Sequence, residues 1–148
     1  MLEMPAHRQY LQSEDKVMIS TRGRYALRVM SDLAKNSNGK YVPLRDVAAR
    51  QGISKKYLEI IVRDMVSGDL VEAASGRGGG YRLRKAPEDY SVWEILRITE
   101  GPMDTVACLS ENAEECPMKN TCPTLPMWEE YDSLVKNFFM SKKLTDLL

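Results

Sequence analysis

The chain has 148 residues, of which 43% are hydrophobic and 28% charged, and its formal net charge is zero. This length suits one main domain, and this composition is that of a folded globular protein rather than a disordered chain. The sequence has neither an apolar run long enough to span a membrane nor a secretory signal pattern at its start, so we expect no membrane association and a cytoplasmic location.

The zero net charge conceals two oppositely charged parts. Residues 18–87 hold 14 Lys and Arg against 6 Asp and Glu, whereas residues 88–148 hold 5 against 12. A basic surface attracts phosphate, so the first part is a candidate nucleic-acid surface. Charge segregation also occurs in proteins that bind no nucleic acid, so it supports this interpretation without proving it.

The N-terminal half begins with residues 1–17, which have no clear apolar period and contain the only histidine, His7. We predict that they form a flexible extension. From Thr21 onwards, apolar residues recur at helical spacing, and this pattern predicts a first helix that ends near Asn36.

A second helix is predicted over 44–50 and a third over 55–66, with Gly52 in the turn between them and Ser54 as the N-cap of the third. Two short helices joined by a glycine turn are the parts of a helix-turn-helix, whose second helix enters the major groove of DNA. The third helix is therefore the predicted recognition helix.

Two short strands are predicted over 70–74 and 80–84, around a glycine-rich turn. Such a hairpin is typical of the wing of a winged helix, in which glycines allow close backbone approach and Arg77 can enter the minor groove. A nucleotide-phosphate loop fits less well, because the glycines lack the P-loop pattern and do not lead directly into a helix. A solvated turn is the other alternative.

The recognition helix and the wing together supply the candidate DNA-binding residues. A carboxylate that faces DNA is repelled by phosphate unless it accepts a hydrogen bond from a cytosine amino group, so Glu59 either reads a base or merely balances the neighbouring lysines. The predicted DNA-binding residues are Ser54, Lys55, Lys56, Tyr57, Glu59, Arg77, Gly78 and Gly79.

The C-terminal part starts with a capping box, Ser91 to Glu94, that opens a fourth helix. An irregular segment, 103–126, follows. Loops of this length without secondary structure are usually functional or are held in place by a bound metal. Residues 127–148 are predicted to form a long helix and a short terminal one. The long helix has an apolar stripe too broad for a small domain to cover, which predicts a homodimer. The stripe consists of Trp128, Tyr131, Leu134, Val135, Phe138 and Phe139.

The irregular segment contains all three cysteines, spaced C-x7-C-x5-C as Cys108, Cys116 and Cys122. An odd number of cysteines cannot be fully paired within one chain, and soft sulfur ligands suit an iron-sulfur cluster, zinc or copper(I). Free or redox-active thiols are the alternative. We expect no enzyme, because there is neither a C-x-x-C pair nor an acid-base constellation.

Three motifs together resemble the Rrf-type family of winged-helix transcription regulators, which includes the IscR, NsrR and CymR proteins. They are the opening ISTRGRYALR at 19–28, the YLE segment at 57–59 with its preceding Ile53-Ser54, and the wing RGGGY at 77–81. The resemblance implies a mainly α fold with a small β-hairpin, that is, a winged helix-turn-helix over 18–102 followed by a long C-terminal dimerisation helix. It also implies a homodimer that binds double-stranded DNA.

Cluster-sensing members of this family carry three cysteines after a Glu-Gly-Pro turn, which is present here as Glu100-Gly101-Pro102. The resemblance therefore implies a 2Fe-2S or 4Fe-4S cluster on the three cysteines. Two departures leave the fourth ligand open: the first cysteine interval is longer than in IscR and NsrR, and Leu125 stands where IscR has a histidine. A carboxylate, a hydroxyl, a group from the other protomer or a small molecule remain possible ligands. The alternative function is a cluster-independent repressor, similar to CymR, that is controlled by a protein partner or by thiol oxidation.

Overall fold

The computed structural model describes residues 18–148, so the predicted flexible extension over 1–17 lies outside the described residues. Within the described part, five α-helices accompany one two-stranded antiparallel sheet, which confirms the predicted fold class. The elements are α1 (Thr21–Asn36), α2 (Leu44–Gln51), α3 (Lys55–Ser67), β1 (Val71–Ala74), β2 (Gly80–Leu83), α4 (Val92–Glu100) and α5 (Leu125–Ser141). Three short 3-10 turns lie at Pro87–Asp89, Ala107–Leu109 and Leu144–Leu147.

Serine side chains cap three of the helices. The hydroxyls of Ser20, Ser54 and Ser91 accept hydrogen bonds from backbone N–H groups in the first turns of α1, α3 and α4. Of the two hydrogen bonds of the predicted capping box at Ser91, only the one from the Glu94 N–H to the Ser91 hydroxyl forms. The Glu94 carboxylate pairs with Lys85, at 2.8 and 3.0 Å from its Nζ, because an ammonium group lies within its reach. A tertiary ion pair thus replaces the local hydrogen bond.

One hydrophobic core joins the helices to the base of the hairpin. Its fully buried side chains come from the helices α1 to α4, from Leu70 and Val71 at the start of the hairpin, from Tyr90 and from the terminal 3-10 turn. Among them, Leu144 is 0% exposed, so the end of the described chain packs into the same core as the helix-turn-helix. On α4, Ile95 and Leu96 are buried, whereas Trp93 and Ile98 are only partly buried against the core.

The turn between α2 and α3 depends on Gly52. This residue has a φ of 64°, a left-handed conformation that favours glycine, and its N–H donates to Ala48 O. Ile53 then enters the core, where it is 7% exposed, and fixes the start of α3. The helix-turn-helix predicted from the sequence is therefore present, with both helices ending within one residue of their predicted bounds.

The hairpin is fastened to the body of the domain at two places. On one side, Val42 and Tyr81 exchange backbone hydrogen bonds of 2.8 and 2.9 Å. At the base, the buried Tyr90 hydroxyl donates to Leu70 O at 2.6 Å and accepts from the N–H groups of Arg84 and Lys85 at 2.9 Å each. Leu70 precedes β1 and the other two residues follow β2, so one side chain holds both ends of the hairpin.

Candidate DNA interface and metal centre

The first turns of α3 present a polar face to solvent. Ser54, Lys55, Lys56 and Glu59 are all exposed, as a recognition helix requires. Tyr57 differs from them, because it is half-buried and its ring packs edge-to-face on Tyr25 of α1 at 5.8 Å between centroids. Tyr57 therefore has a packing role in addition to any contact with DNA.

The tip of the hairpin exposes Arg77 and Gly78, whereas Gly79 is half-buried in the turn. Gly76 and Gly78 have φ values of 83° and 75°, so the tip uses left-handed conformations on both sides of Arg77. A Cβ on Gly79 would lie 2.3 Å from Ala74 O, so glycine is needed there to close the turn. The turn thus leaves Arg77 exposed to solvent.

A basic cleft of about 450 Å³ separates this tip from the helix-turn-helix. Arg45 at the start of α2, Lys55 at the start of α3 and Arg77 at the tip all line it. The side chain of Arg45 is 80% exposed and lies 3.6 Å from Asp46. Sequence reasoning missed Arg45, because its position opposite the wing follows from the tertiary fold. Its place in the first turn of α2 was the only local signal.

Helices α3 and α2 are held to α1 by ion pairs. Arg22 of α1 pairs with Asp64 of α3. The buried Asp32 of α1 accepts from Arg50 at 2.7 and 3.0 Å and from Gln51 at 2.9 Å. Burial raises the pKa of Asp32, but the hydrogen bonds from Arg50 and Gln51 and the charge of Arg50 outweigh it, so the pKa lies below the ordinary carboxyl value.

All three cysteines line one cavity of about 380 Å³ in the segment between α4 and α5. Cys108 lies in the 3-10 turn, Cys116 in the irregular stretch, and Cys122 just before the start of α5. All three are free thiols. Within residues 18–148, no three His, Cys, Asp or Glu side chains lie close enough together to hold a metal ion. The fold thus brings the predicted ligands to one cavity without bringing their sulfur atoms to coordination distance.

Cys122 has a distinct electrostatic setting at the N-terminus of α5. The Thr124 hydroxyl lies 3.4 Å from its Sγ, and this contact, with the backbone N–H groups of Thr124 and Leu125, lowers the pKa of the Cys122 thiol. Unpaired N–H groups at a helix N-terminus favour an anion. These contacts make the Cys122 thiol more acidic than a free cysteine.

The cysteine segment is tied to both flanking helices. Arg97 of α4 donates to Glu111 at 3.0 Å, and the backbone N–H and hydroxyl of Thr105 donate to Asp132 of α5, each at 3.1 Å. At the end of α4, the Glu100 carboxylate accepts hydrogen bonds from the backbone N–H and the hydroxyl of Ser20, at 3.0 and 2.7 Å. The segment that holds the cysteines thus contacts α4 and α5, and the end of α4 in turn contacts the N-terminus of α1.

The predicted apolar stripe of α5 divides into two faces. Trp128, Val135 and Phe139 are half-buried on the side of α4, whereas Tyr131, Leu134 and Phe138 are 45%, 61% and 56% exposed. The exposed side chains recur at the spacing of one helix face, which Met127 extends. In the described part of the chain, nothing covers this second face.

Comparisons with known proteins agree with this geometry. The family model of Rrf2, described as an iron-dependent transcriptional regulator, matches residues 19–148. The chain belongs to the Rrf2 family. The HTH-type transcriptional regulator IscR of Aliivibrio salmonicida is 32% identical over 130 residues, which cover 88% of this chain and 76% of that protein.

Among solved structures, CymR of B. subtilis, described as the global cysteine regulator, aligns with a TM-score of 0.70 and 32% identity over 87% of this chain and 94% of CymR. IscR of T. potens aligns with a TM-score of 0.68 and 28% identity over 89% of this chain and 86% of that IscR. IscR and CymR are transcriptional regulators rather than enzymes, which confirms the prediction that this Rrf2-family chain is not an enzyme. No helix in the described part of the chain is long and apolar enough to cross a membrane.

Proposed function

We propose that this Rrf2-family regulator is a homodimer that reads DNA with α3 and the wing and is controlled by an iron-sulfur cluster on Cys108, Cys116 and Cys122. In this proposal, residues 18–102 form the DNA-binding domain, residues 103–126 the sensing loop, and residues 127–148 the dimerisation region. One observation carries the proposal: the three thiols line a single cavity in a segment tied to both α4 and α5.

The donor set of the cavity fits an iron-sulfur cluster. Thiolate is the usual ligand of such clusters, and the cavity of about 380 Å³ offers three. A bound cluster would supply a redox-active, oxygen-sensitive centre. The chain's own part is to close the loop so that the sulfur atoms converge, a movement that the exposed positions of Cys108 and Cys116 leave free.

The DNA contacts divide by chemistry. The lysines 55 and 56 and Arg77 neutralise phosphate or enter a groove, and the exposed Glu59 accepts a hydrogen bond from a cytosine amino group. Ser54 and Tyr57 complete the face of α3, while Gly78 and Gly79 let the wing backbone approach the duplex. Arg45 joins Lys55 and Arg77 as the third cation that lines the cleft between α3 and the wing.

Loop closure is coupled to the DNA surface through a continuous set of contacts. The loop is tied to α4 by Arg97, and the last residue of α4, Glu100, binds Ser20 at the start of α1. Two residues later, Arg22 pairs with Asp64 of the recognition helix. A change in the loop can therefore shift α3 relative to the wing, and through α5 it can change the spacing of the two recognition helices in a dimer.

The test is anaerobic reconstitution with iron and sulfide, followed by measurement of both elements per monomer, the visible spectrum and operator binding. Each Cys→Ser variant is expected to lose the chromophore and the iron, because serine oxygen is a poor match for this soft centre. All three variants should behave alike. A wild-type protein that stays colourless while it still binds DNA would contradict the cluster proposal.

A second candidate is a cluster-independent repressor controlled by thiol oxidation or by a protein partner. Two observations favour it: the likeness to CymR, and the three free thiols that lie beyond metal-binding distance. In this case two cysteines form a regulatory disulfide, so one Cys→Ser substitution is silent and the other two abolish an oxidation-dependent change in DNA binding. The same series of variants therefore separates the two candidates.

A further inference from the structure

We infer that Glu129, on the second turn of α5, is the fourth protein ligand of the cluster. This inference rests on the proposed iron-sulfur function and names the residue that completes its site. A cluster of either type normally takes four protein ligands, and this chain supplies three cysteines. Glu129 lines the same cavity as all three of them.

The helix geometry of α5 directs this carboxylate toward the cysteines. Leu125 and Glu129 are four residues apart, so they lie on one face of the helix, and both line the cavity. Side chains on a helix lean toward its N-terminus, so Glu129 covers the turn of Leu125. Cys122 lies immediately before that turn. A glutamate side chain is also long enough to bring its oxygens to the space beside a leucine one turn earlier.

Glu129 is available for this task. Within residues 18–148, its carboxylate takes part in none of the ion pairs and side-chain hydrogen bonds of the structure. The next residue on the helix, Glu130, does not line the cavity. Both residues are glutamates on the same helix, but only Glu129 lines the cavity, which makes Glu130 a matched control.

The charge of the cavity wall favours a cationic centre. Glu114, Glu115 and Glu129 line it with the three thiols, and Lys119 is the one basic residue among the lining residues. A cationic centre among these groups would reduce the mutual repulsion of the three carboxylates. Of the three carboxylates, only that of Glu129 lies on a regular helix, which fixes it while the cysteine loop closes. Glu114 and Glu115 lie in the irregular stretch beside Cys116, so their positions change when the cysteine loop closes.

The experiment compares Glu129→Gln with Glu130→Gln, Glu114→Gln and Glu115→Gln after anaerobic reconstitution of the full chain. We measure iron per monomer, the visible and resonance Raman spectra, the reduction potential and the rate at which EDTA removes iron. For Glu129→Gln alone we expect a changed spectrum, a higher reduction potential because a neutral amide replaces an anion, and iron loss about tenfold faster or more. Circular dichroism and binding of the apo protein to DNA should match the wild type for all four variants.

A rescue variant makes the test sharper. Leu125→His in the Glu129→Gln background places an imidazole on the same cavity wall, and it should restore iron retention with a spectrum that shows nitrogen ligation. A wild-type spectrum and iron-loss rate in Glu129→Gln would overturn the ligand assignment alone, as would the same losses in Glu114→Gln or Glu115→Gln instead. A wild-type chain that takes up no cluster would overturn the proposed function and this assignment together.

Discussion

Glu100, the last residue of α4, accepts two hydrogen bonds from Ser20, the residue that caps α1. The first turn of α1 is thus held by the carboxylate that ends α4, three residues before the cysteine segment begins. The contact leaves no room beside it, because a Cβ added to Gly23 would lie 2.0 Å from Glu100 Oε1. The glycine of the opening motif is therefore explained by the approach of this carboxylate to the helix.

The first prediction tests this junction. Glu100→Ala should lower the free energy of unfolding by about 1–2 kcal/mol, since two donors at the start of α1 lose their acceptor. Glu100→Gln retains an acceptor oxygen and is the matched control. Gly23→Ala should have an effect similar to that of Glu100→Ala, and the two should not add in the double variant, because both remove one contact. Urea unfolding of the wild type and the four variants measures these effects, and additive losses would show that the residues act independently.

The second prediction concerns the base of the wing. Tyr90→Phe keeps the buried ring but removes the hydroxyl that binds Leu70, Arg84 and Lys85, so it should cost about 1–3 kcal/mol of stability and loosen the hairpin. Hydrogen exchange of the β1 and β2 amides should accelerate more than that of α1. Tyr41→Phe is a suitable control, because the Tyr41 hydroxyl makes only a long contact of 3.5 Å to Glu72. Equal exchange rates in wild type and Tyr90→Phe would contradict the role of the hydroxyl.

The sequence predicted the helices and the hairpin well because their apolar spacing and their serine and glycine end signals are local. It failed where a distant residue decides the outcome. Glu94 pairs with Lys85 instead of closing its capping box. Arg45 joins the wing cleft, and Glu129 joins the cysteine cavity, only because the tertiary fold places α2 beside the wing and α5 beside the loop. Such neighbours have no signature in the spacing of the residues themselves.

The third prediction follows from the lowered pKa of Asp32. A carboxyl whose pKa is lower in the folded state stabilises the protein fully above its unfolded pKa, near 3.8, and this contribution is lost as the pH falls through the folded value. Between pH 6 and more acidic conditions, the stability of the wild type should therefore fall more steeply than that of Asp32→Asn. Urea unfolding at a series of pH values measures the difference. Parallel curves for the two proteins would show that Asp32 does not contribute to acid sensitivity.

The fourth prediction separates base reading from phosphate binding. Glu59→Ala should change discrimination at one operator position by about 1–3 kcal/mol without weakening binding to random DNA. Arg45→Ala and Arg77→Ala should weaken binding to operator and random DNA, and Arg45→Ala should lower the salt dependence by about one phosphate contact. Lys136→Ala is the control. It also removes one positive charge, but from α5, where Lys136 lies over the ring of Trp93. Fluorescence anisotropy at several salt concentrations distinguishes these effects, and equal losses of Glu59→Ala on both DNAs would exclude base reading.

The last prediction concerns the exposed face of α5. Tyr131, Leu134 and Phe138 expose about half or more of their surface on one side of the helix, an arrangement expected of a surface that a second copy covers. Leu134→Glu places a charge at the centre of this face and should convert a dimer into a monomer. Ser133→Glu adds the same charge on a different side of the helix and should leave the dimer intact. Because two recognition helices bind adjacent half-sites together, the monomeric variant should also lose affinity for a two-half-site operator much more than for a single half-site. Analytical ultracentrifugation measures the first effect and anisotropy the second. A wild-type protein that sediments as a monomer at all concentrations would contradict the dimer, whereas a dimer that survives Leu134→Glu would place the interface elsewhere.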